Sequence, residues 1–223
     1  MPMKEDKIKN LLQASKSAGP LKVGFLLVPD FSMLAFASAL EPLRAANRMS
    51  GQDLFSWVIS SPTGAAPEAS NGVRVDVQGT LEMLQDCRLV FVCAGLEVKA
   101  HAEKETLNLI RRLDRKGAII GAICTGTYLM AAAGLLDDRR CTIHWENIDG
   151  LAEEFPLLEI TNELFEIDDK RVTCSGGTAS LDMILYLIGQ VHGQGLAAQV
   201  SDQFIHDRIS CLLYTSPSPR DRG

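Results

Sequence analysis

Cys124 and His144 are the two side chains whose types and settings suit nucleophilic chemistry. Cys124 stands where two patterns meet. Ala118 to Ile123 is a short apolar run flanked by glycines, as expected of a strand buried on both faces of a parallel sheet. After it, Tyr128, Leu129 and the alanines around Ala132 favour a packed helix that Gly134 closes. A thiol at such an elbow faces unpaired amide N–H groups and the positive end of a helix dipole, which favours the thiolate. The same residue serves equally as a small apolar side chain filling a tight corner.

His144 ends the run Cys141-Thr-Ile-His, which reads as a short strand delivering His144 and Trp145 to its tip. It is the base a cysteine nucleophile needs, because His101, His192 and His206 fall in helical or loop patterns elsewhere. A polar residue closing a strand has the same spacing. Gly95, after another buried strand, and the amide of Thr125 are candidate donors to an oxyanion, although a glycine there also suits an ordinary turn.

These residues need a scaffold, and the chain predicts one. Leu21 to Val28 reads as a buried strand, Pro29-Asp30 as a turn, and Phe31 to Met49 as a helix that Pro42 should bend or bring to its last turns. Leu54 to Ser60 and Arg88 to Cys93 are further strands, and Val73, Val75 and Val77 alternate as in a half-exposed one. Glu103 to Lys116 is an amphipathic helix, and Glu146 to Glu154 is another, stopped by Pro156. Strands at Glu159 to Ile167 and Arg171 to Cys174 follow, with a turn at Asp168-Asp-Lys170. Leu181 to Val191 and Leu196 to Ile209 complete the helices. Alternating strands and helices imply a parallel α/β sheet covered on both faces, with sites at the carboxyl ends of strands. Four loops converge there: 29–32, 94–96, 124–126 and 144–145.

The 223 residues, 46% apolar, are enough for one large domain. A net charge of −6 without a Lys/Arg stripe removes the electrostatic footprint of a nucleic-acid binder, so any DNA contact must come from elsewhere. No apolar run approaches the roughly 20 residues of a transmembrane helix, and the first residues lack the apolar centre of a signal peptide, so no membrane association and a cytoplasmic location are expected. The six cysteines form no CxxC or His/Cys cluster; buried free thiols are expected, with no metal, cofactor or disulfide framework.

The run Gly121-Ala-Ile-Cys-Thr-Gly-Thr127, followed by Ala133-Gly-Leu-Leu-Asp137 and Thr142-Ile-His-Trp145, resembles the nucleophile elbow and histidine strand of the DJ-1/PfpI superfamily. Gly24-Phe-Leu-Leu-Val-Pro-Asp-Phe-Ser-Met33 with Ala39-Leu-Glu-Pro-Leu-Arg-Ala-Ala-Asn47 is similar to one branch, the GlxA-like AraC-type transcriptional regulators. The resemblance implies a flavodoxin-like three-layer α/β/α sandwich with a mainly parallel sheet over residues 21–209. It also implies a homodimer, a small-molecule effector, and DNA binding through a C-terminal helix-turn-helix domain missing here. Such regulators respond to small nitrogenous metabolites, which suggests an amine, amino-acid or betaine-like effector. Thr125 and Gly126 amides would hold its carboxylate, Phe31 and Trp145 would face its ammonium, and Ser32 and Gly95 would complete the wall. Enzymes of the superfamily place a glutamate after the first strand; the matching position here is Ser32. Glu41 lies too far along the helix to replace it. The resemblance therefore implies a sensing domain with a vestigial Cys124–His144 pair, the alternative being a Cys-dependent hydrolase or glyoxalase, or a redox sensor.

Both ends of the chain differ from this body. Residues 1–20 are polar and lysine-rich and read as a mobile tail. From 210 to 223 the sequence has no helical or strand period and closely resembles the translation of a transposon adaptor used in sequencing libraries. On that reading the natural protein continues beyond Ile209.

Overall fold

Strands that must be covered on both faces are apolar at nearly every position, and three segments meet that condition: β1 (Leu21–Leu27), β3 (Leu89–Ala94) and β4 (Ile119–Cys124). In the computed structural model, which describes residues 19–206, they occupy the middle of a six-stranded sheet. Its order is β2-β1-β3-β4-β8-β7, with β2 (Phe55–Ser60), β7 (Phe165–Asp168) and β8 (Arg171–Cys174) outside them. Every neighbouring pair is parallel except β7 and β8, which form an antiparallel hairpin at one edge. The edge strand β2 mixes buried and exposed positions, as one open flank allows.

Helices cover both faces. On one side α1 (Met33–Ser50) presents Ala35, Phe36, Ala39, Leu43 and Ala46 to the sheet, joined by α5 (Ala179–His192) and α6 (Gln194–Gln203). On the other, α2 (Lys104–Arg115) buries Leu109, Ile110 and Leu113 beside α3 (Gly126–Ala132) and α4 (Ile148–Glu154). Two apolar cores separated by one sheet make the flavodoxin-like α/β/α sandwich that the family resemblance implied. Phe91 shows how tightly they are built: its ring crosses β4 at Gly121, where a Cβ would collide with it. Burying one such ring contributes about 1.5–3 kcal/mol.

Several sequence expectations shift. Pro42 lies inside α1, which runs about two turns further to Ser50 and is capped by Gly51 in the left-handed region (φ 65°). Packing overrides the lost N–H: Pro42 is itself buried in the helix's apolar face. Val73, Val75 and Val77 belong to no strand of the sheet; Ala69 N–H donates to Val73 O and Val75 N–H to Pro67 O, so the segment folds back on its own loop. The expected strand from Glu159 to Ile167 divides. Its start is β6 (Glu159–Ile160), which pairs in parallel with β5 (Arg140–Cys141), and its end is β7 in the main sheet. The last helix stops at Gln203 rather than Ile209, and Ile205 turns into the left-handed region (φ 54°). The polar tail up to residue 18, the end of the expected last helix at 207–209 and the adaptor-like stretch lie outside the described residues.

Candidate functional site

Cys124 closes β4 with φ of 60°. A non-glycine residue in the left-handed region costs of the order of 1–3 kcal/mol, so the surrounding structure must impose it. The apolar strand fixes one side, and α3 begins two residues later. Gly126 packs so closely on β3 that a Cβ would strike the Val92 carbonyl. The turn therefore has no room to relax.

The neighbouring strand ends close around it. Leu96 N–H donates to Asp30 O (3.1 Å), tying the loop after β3 to the loop after β1, and Thr125 Oγ donates to Gly95 O (2.6 Å). Gly95 meets the Asp30 carbonyl so closely that no side chain fits. On the far side Gly176 follows β8, and a Cβ there would lie 3.1 Å from the Cys124 sulfur. His144 is carried by a different device from the one expected. Only Arg140–Cys141 is strand; His144 sits at the start of a 3-10 turn, Trp145–Asn147. Three hydrogen bonds hold the intervening residues: Thr127 Oγ to Thr142 O (2.8 Å), Thr142 N–H to Thr173 Oγ (2.9 Å) and Thr142 Oγ to Glu163 O (2.8 Å).

Ser32, Gly95, Cys124, Thr125 and His144 line one cavity of about 540 Å³. Three proposed binding residues lie apart from it. Phe31 is completely buried with its ring edge-on to Phe36, because the backbone bridges of Phe31 to Ala69 and Gly95 turn the side chain into the core. Gly126 is buried against β3. Trp145 is 72% exposed and lines a neighbouring cavity instead. The Phe31–Trp145 pairing around an ammonium is thus corrected: the two rings do not face one space.

The electrostatics also differ from the expected thiolate. Burial pushes the Cys124 thiol up to about 11; the Thr125 amide pulls the other way but is outweighed, and the nearby Glu146 carboxylate adds to the rise. Near neutral pH Cys124 is a thiol. His144 has its Nδ1 3.6 Å from Glu146 Oε2 and no hydrogen bond to the Cys124 sulfur among the described residues. Ser32 accepts from the Ala35 amide as the N-cap of α1 (3.3 Å), and Glu41 is paired with Arg44 (2.6 Å) outside the cavity.

The sequence reading missed part of the wall. Glu146, two residues after His144 in the 3-10 turn, lines the same cavity. Tyr128, one helical turn beyond Cys124, lines the cavity and donates its hydroxyl to Glu154 (2.6 Å), which also holds Lys99 (2.6 Å). Glu97 lies beside them. Gly176 was visible only as half of a glycine pair. The described cysteines are all free and buried, and no cluster among the described residues suits a metal ion. No described helix is long and apolar enough to cross a membrane.

Comparison with known proteins agrees with this geometry. The chain is 50% identical over 185 residues to the HTH-type transcriptional regulator CdhR of Pseudomonas aeruginosa, covering 83% of this chain and 55% of that protein. It is 40% identical over 211 residues to the HTH-type transcriptional regulator GlxA of Rhizobium meliloti, covering 94% and 64%. It therefore spans 55% and 64% of the length of these two curated relatives. An AraC family transcriptional regulator from Pseudomonas putida has the same fold, with a TM-score of 0.76 and 28% identity over 83% of this chain and the whole of that one. The DJ-1/PfpI family model matches residues 22–190, which take in the elbow, the histidine segment and every strand of the main sheet, and the chain belongs to that family.

Proposed function

We propose that this is the effector-sensing, dimerising domain of an AraC-type transcription regulator. Its effector is a small amine, amino-acid or betaine-like metabolite, and DNA is bound through a further C-terminal domain. The observation that carries this reading is the character of the elbow cavity. It is roomy enough for a metabolite, its thiol is held neutral, and its one hydroxyl at the usual acid position is committed to capping α1. The wall charge favours a cationic group, since Glu97 and Glu146 line the cavity while Lys99 is already paired with Glu154. Relatives that are transcriptional regulators support the same assignment.

A ligand that binds only the folded state raises the melting temperature. Glycine betaine, carnitine and arginine, added separately to the purified chain, should include at least one that does so saturably. The absence of a shift with any amine or amino acid removes the effector assignment. Sedimentation of the same sample as a monomer would remove the dimer.

A second reading rests on the strained backbone at Cys124 and on the row Cys124, His144, Glu146 around one cavity. That row suits a Cys-dependent enzyme in which His144 is the base and Glu146 orients it. Turnover of methylglyoxal or of a chromogenic amide by the wild type, lost in Cys124→Ala, would establish it over the sensor.

A further inference from the structure

Among the described residues two glycines line the elbow cavity, Gly95 and Gly150, and only the first has a packing reason to be glycine. At Gly95 a side chain would run into the Asp30 carbonyl, whereas a Cβ on Gly150 would meet nothing within 4 Å. Gly150 lies inside α4 and is not among the glycines with positive φ, so its backbone is one that any residue adopts. Apart from proline, glycine is the residue a helix interior favours least. α4 therefore carries a residue that weakens it, with no protein neighbour that requires it.

The space left open belongs to the cavity. Successive residues of an α-helix are about 100° apart, so positions 147, 150, 151 and 154 share one side. On α4 and its N-cap these are Asn147, Gly150 and Leu151, which line the cavity, and Glu154, which accepts from the cavity-lining Tyr128. Gly150 is also solvent-exposed, which puts this part of the helix at the cavity's mouth, and Cys124 lines the same space. Proteins keep a residue that costs stability where function needs the room it leaves. We propose that Gly150 is a specificity-determining residue: its missing side chain keeps open the part of the elbow cavity beside α4, and the size of the residue at 150 sets the size of the molecule admitted. This rests on the effector reading only in that the cavity admits small molecules.

Iodoacetamide and its bulkier N-phenyl derivative attack thiols through the same iodoacetyl group. The ratio of their rates at Cys124, read by peptide mass at pH 9 in the full chain, reports the size admitted and cancels any change in thiol ionisation. Ala152 is exposed, absent from the cavity wall and about 200° around the helix from Gly150, so Ala152→Leu adds bulk to the opposite side as a control. Gly150→Ala should raise the melting temperature by about 2–3 °C and widen the preference for the smaller reagent slightly. Gly150→Leu should widen it about tenfold, the rate equivalent of one overpacked side chain, and Ala152→Leu should leave it unchanged. The proposal is overturned by an unchanged ratio in Gly150→Leu, by equal widening in Ala152→Leu, or by a lower melting temperature in Gly150→Ala, which would show the glycine serving the backbone. The two readings fail separately: the absence of a thermal shift with glycine betaine, carnitine and arginine removes the effector, while the labelling ratios still decide Gly150.

Discussion

Gly176 rests against Cys124 so closely that a methyl group on its Cα would lie 2.8 Å from the Cys124 Cβ. Gly176 itself has φ of 92°, so a side chain there is strained before any collision is counted. Gly176→Ala should therefore lower stability by about 2 kcal/mol or more, combining backbone strain with overpacking. The midpoint of urea unfolding reads this directly. Cys124→Gly in the same chain should recover part of the loss, because it removes the colliding atom and relaxes the strained residue. Independent, additive effects would mean that the contact does not limit either position.

The raised thiol gives a defined reactivity profile. With its ionisation near 11, Cys124 carries roughly one thiolate in 10,000 molecules at pH 7. Iodoacetamide labelling of Cys124, followed by peptide mass, should be slow at pH 7 and rise about tenfold per pH unit up to about pH 10. Glu146→Gln removes a charge that opposes ionisation and should move the curve to lower pH. Rapid labelling at pH 7 would show an activated nucleophile and favour the enzyme reading.

Alkali should destabilise the whole fold. Burial raises Cys87 and Cys124 to about 11 and Cys141 and Cys174 to about 12, whereas in the unfolded chain they ionise near 8.5. Below that unfolded value the folded and unfolded states bind the same thiol protons, and the thiol contribution to stability is fully present. Above it the unfolded state loses protons that the folded state keeps, so this contribution falls as pH rises toward 11–12. Melting temperatures should be flat in this respect up to about pH 8 and decline above pH 9. Replacing Cys87 and Cys141 by alanine should flatten the decline while lowering stability at pH 7.

The histidine segment hangs on threonines. Thr127→Val keeps the shape of a fully buried side chain and removes the donor to Thr142 O, leaving that carbonyl short of a partner. A loss of about 1–3 kcal/mol is expected. Amide hydrogen exchange should quicken at residues 142–147 while β1 and β3 stay protected. Uniform quickening across the sheet would show that the bond supports the fold as a whole rather than this segment.

Much of the scaffold was legible because burial on both faces leaves a strong mark. Leu21–Leu27, Leu89–Ala94 and Ile119–Cys124 could hardly be anything but central strands, and the strand-to-helix elbow at Cys124 follows from them. What periodicity could not show was the fate of short polar-apolar alternations. Val73 to Val77 alternates like a strand but finds its hydrogen-bond partners within its own loop. The site was legible to the level of which loops meet. Side-chain direction was not: Phe31 and Ser32 are adjacent, yet the first is turned into the core and the second lines the cavity. The thiol's ionisation was misjudged for a related reason. The helix start is evident in sequence, but the depth of burial that outweighs it depends on residues as distant as Gly176.

Ile143 and His144 border both the elbow cavity and the space beside Trp145, so two adjacent residues form the wall that the two cavities share. A change of side chain at His144 therefore alters the shape of both spaces at once, and its effect is never confined to the thiol side.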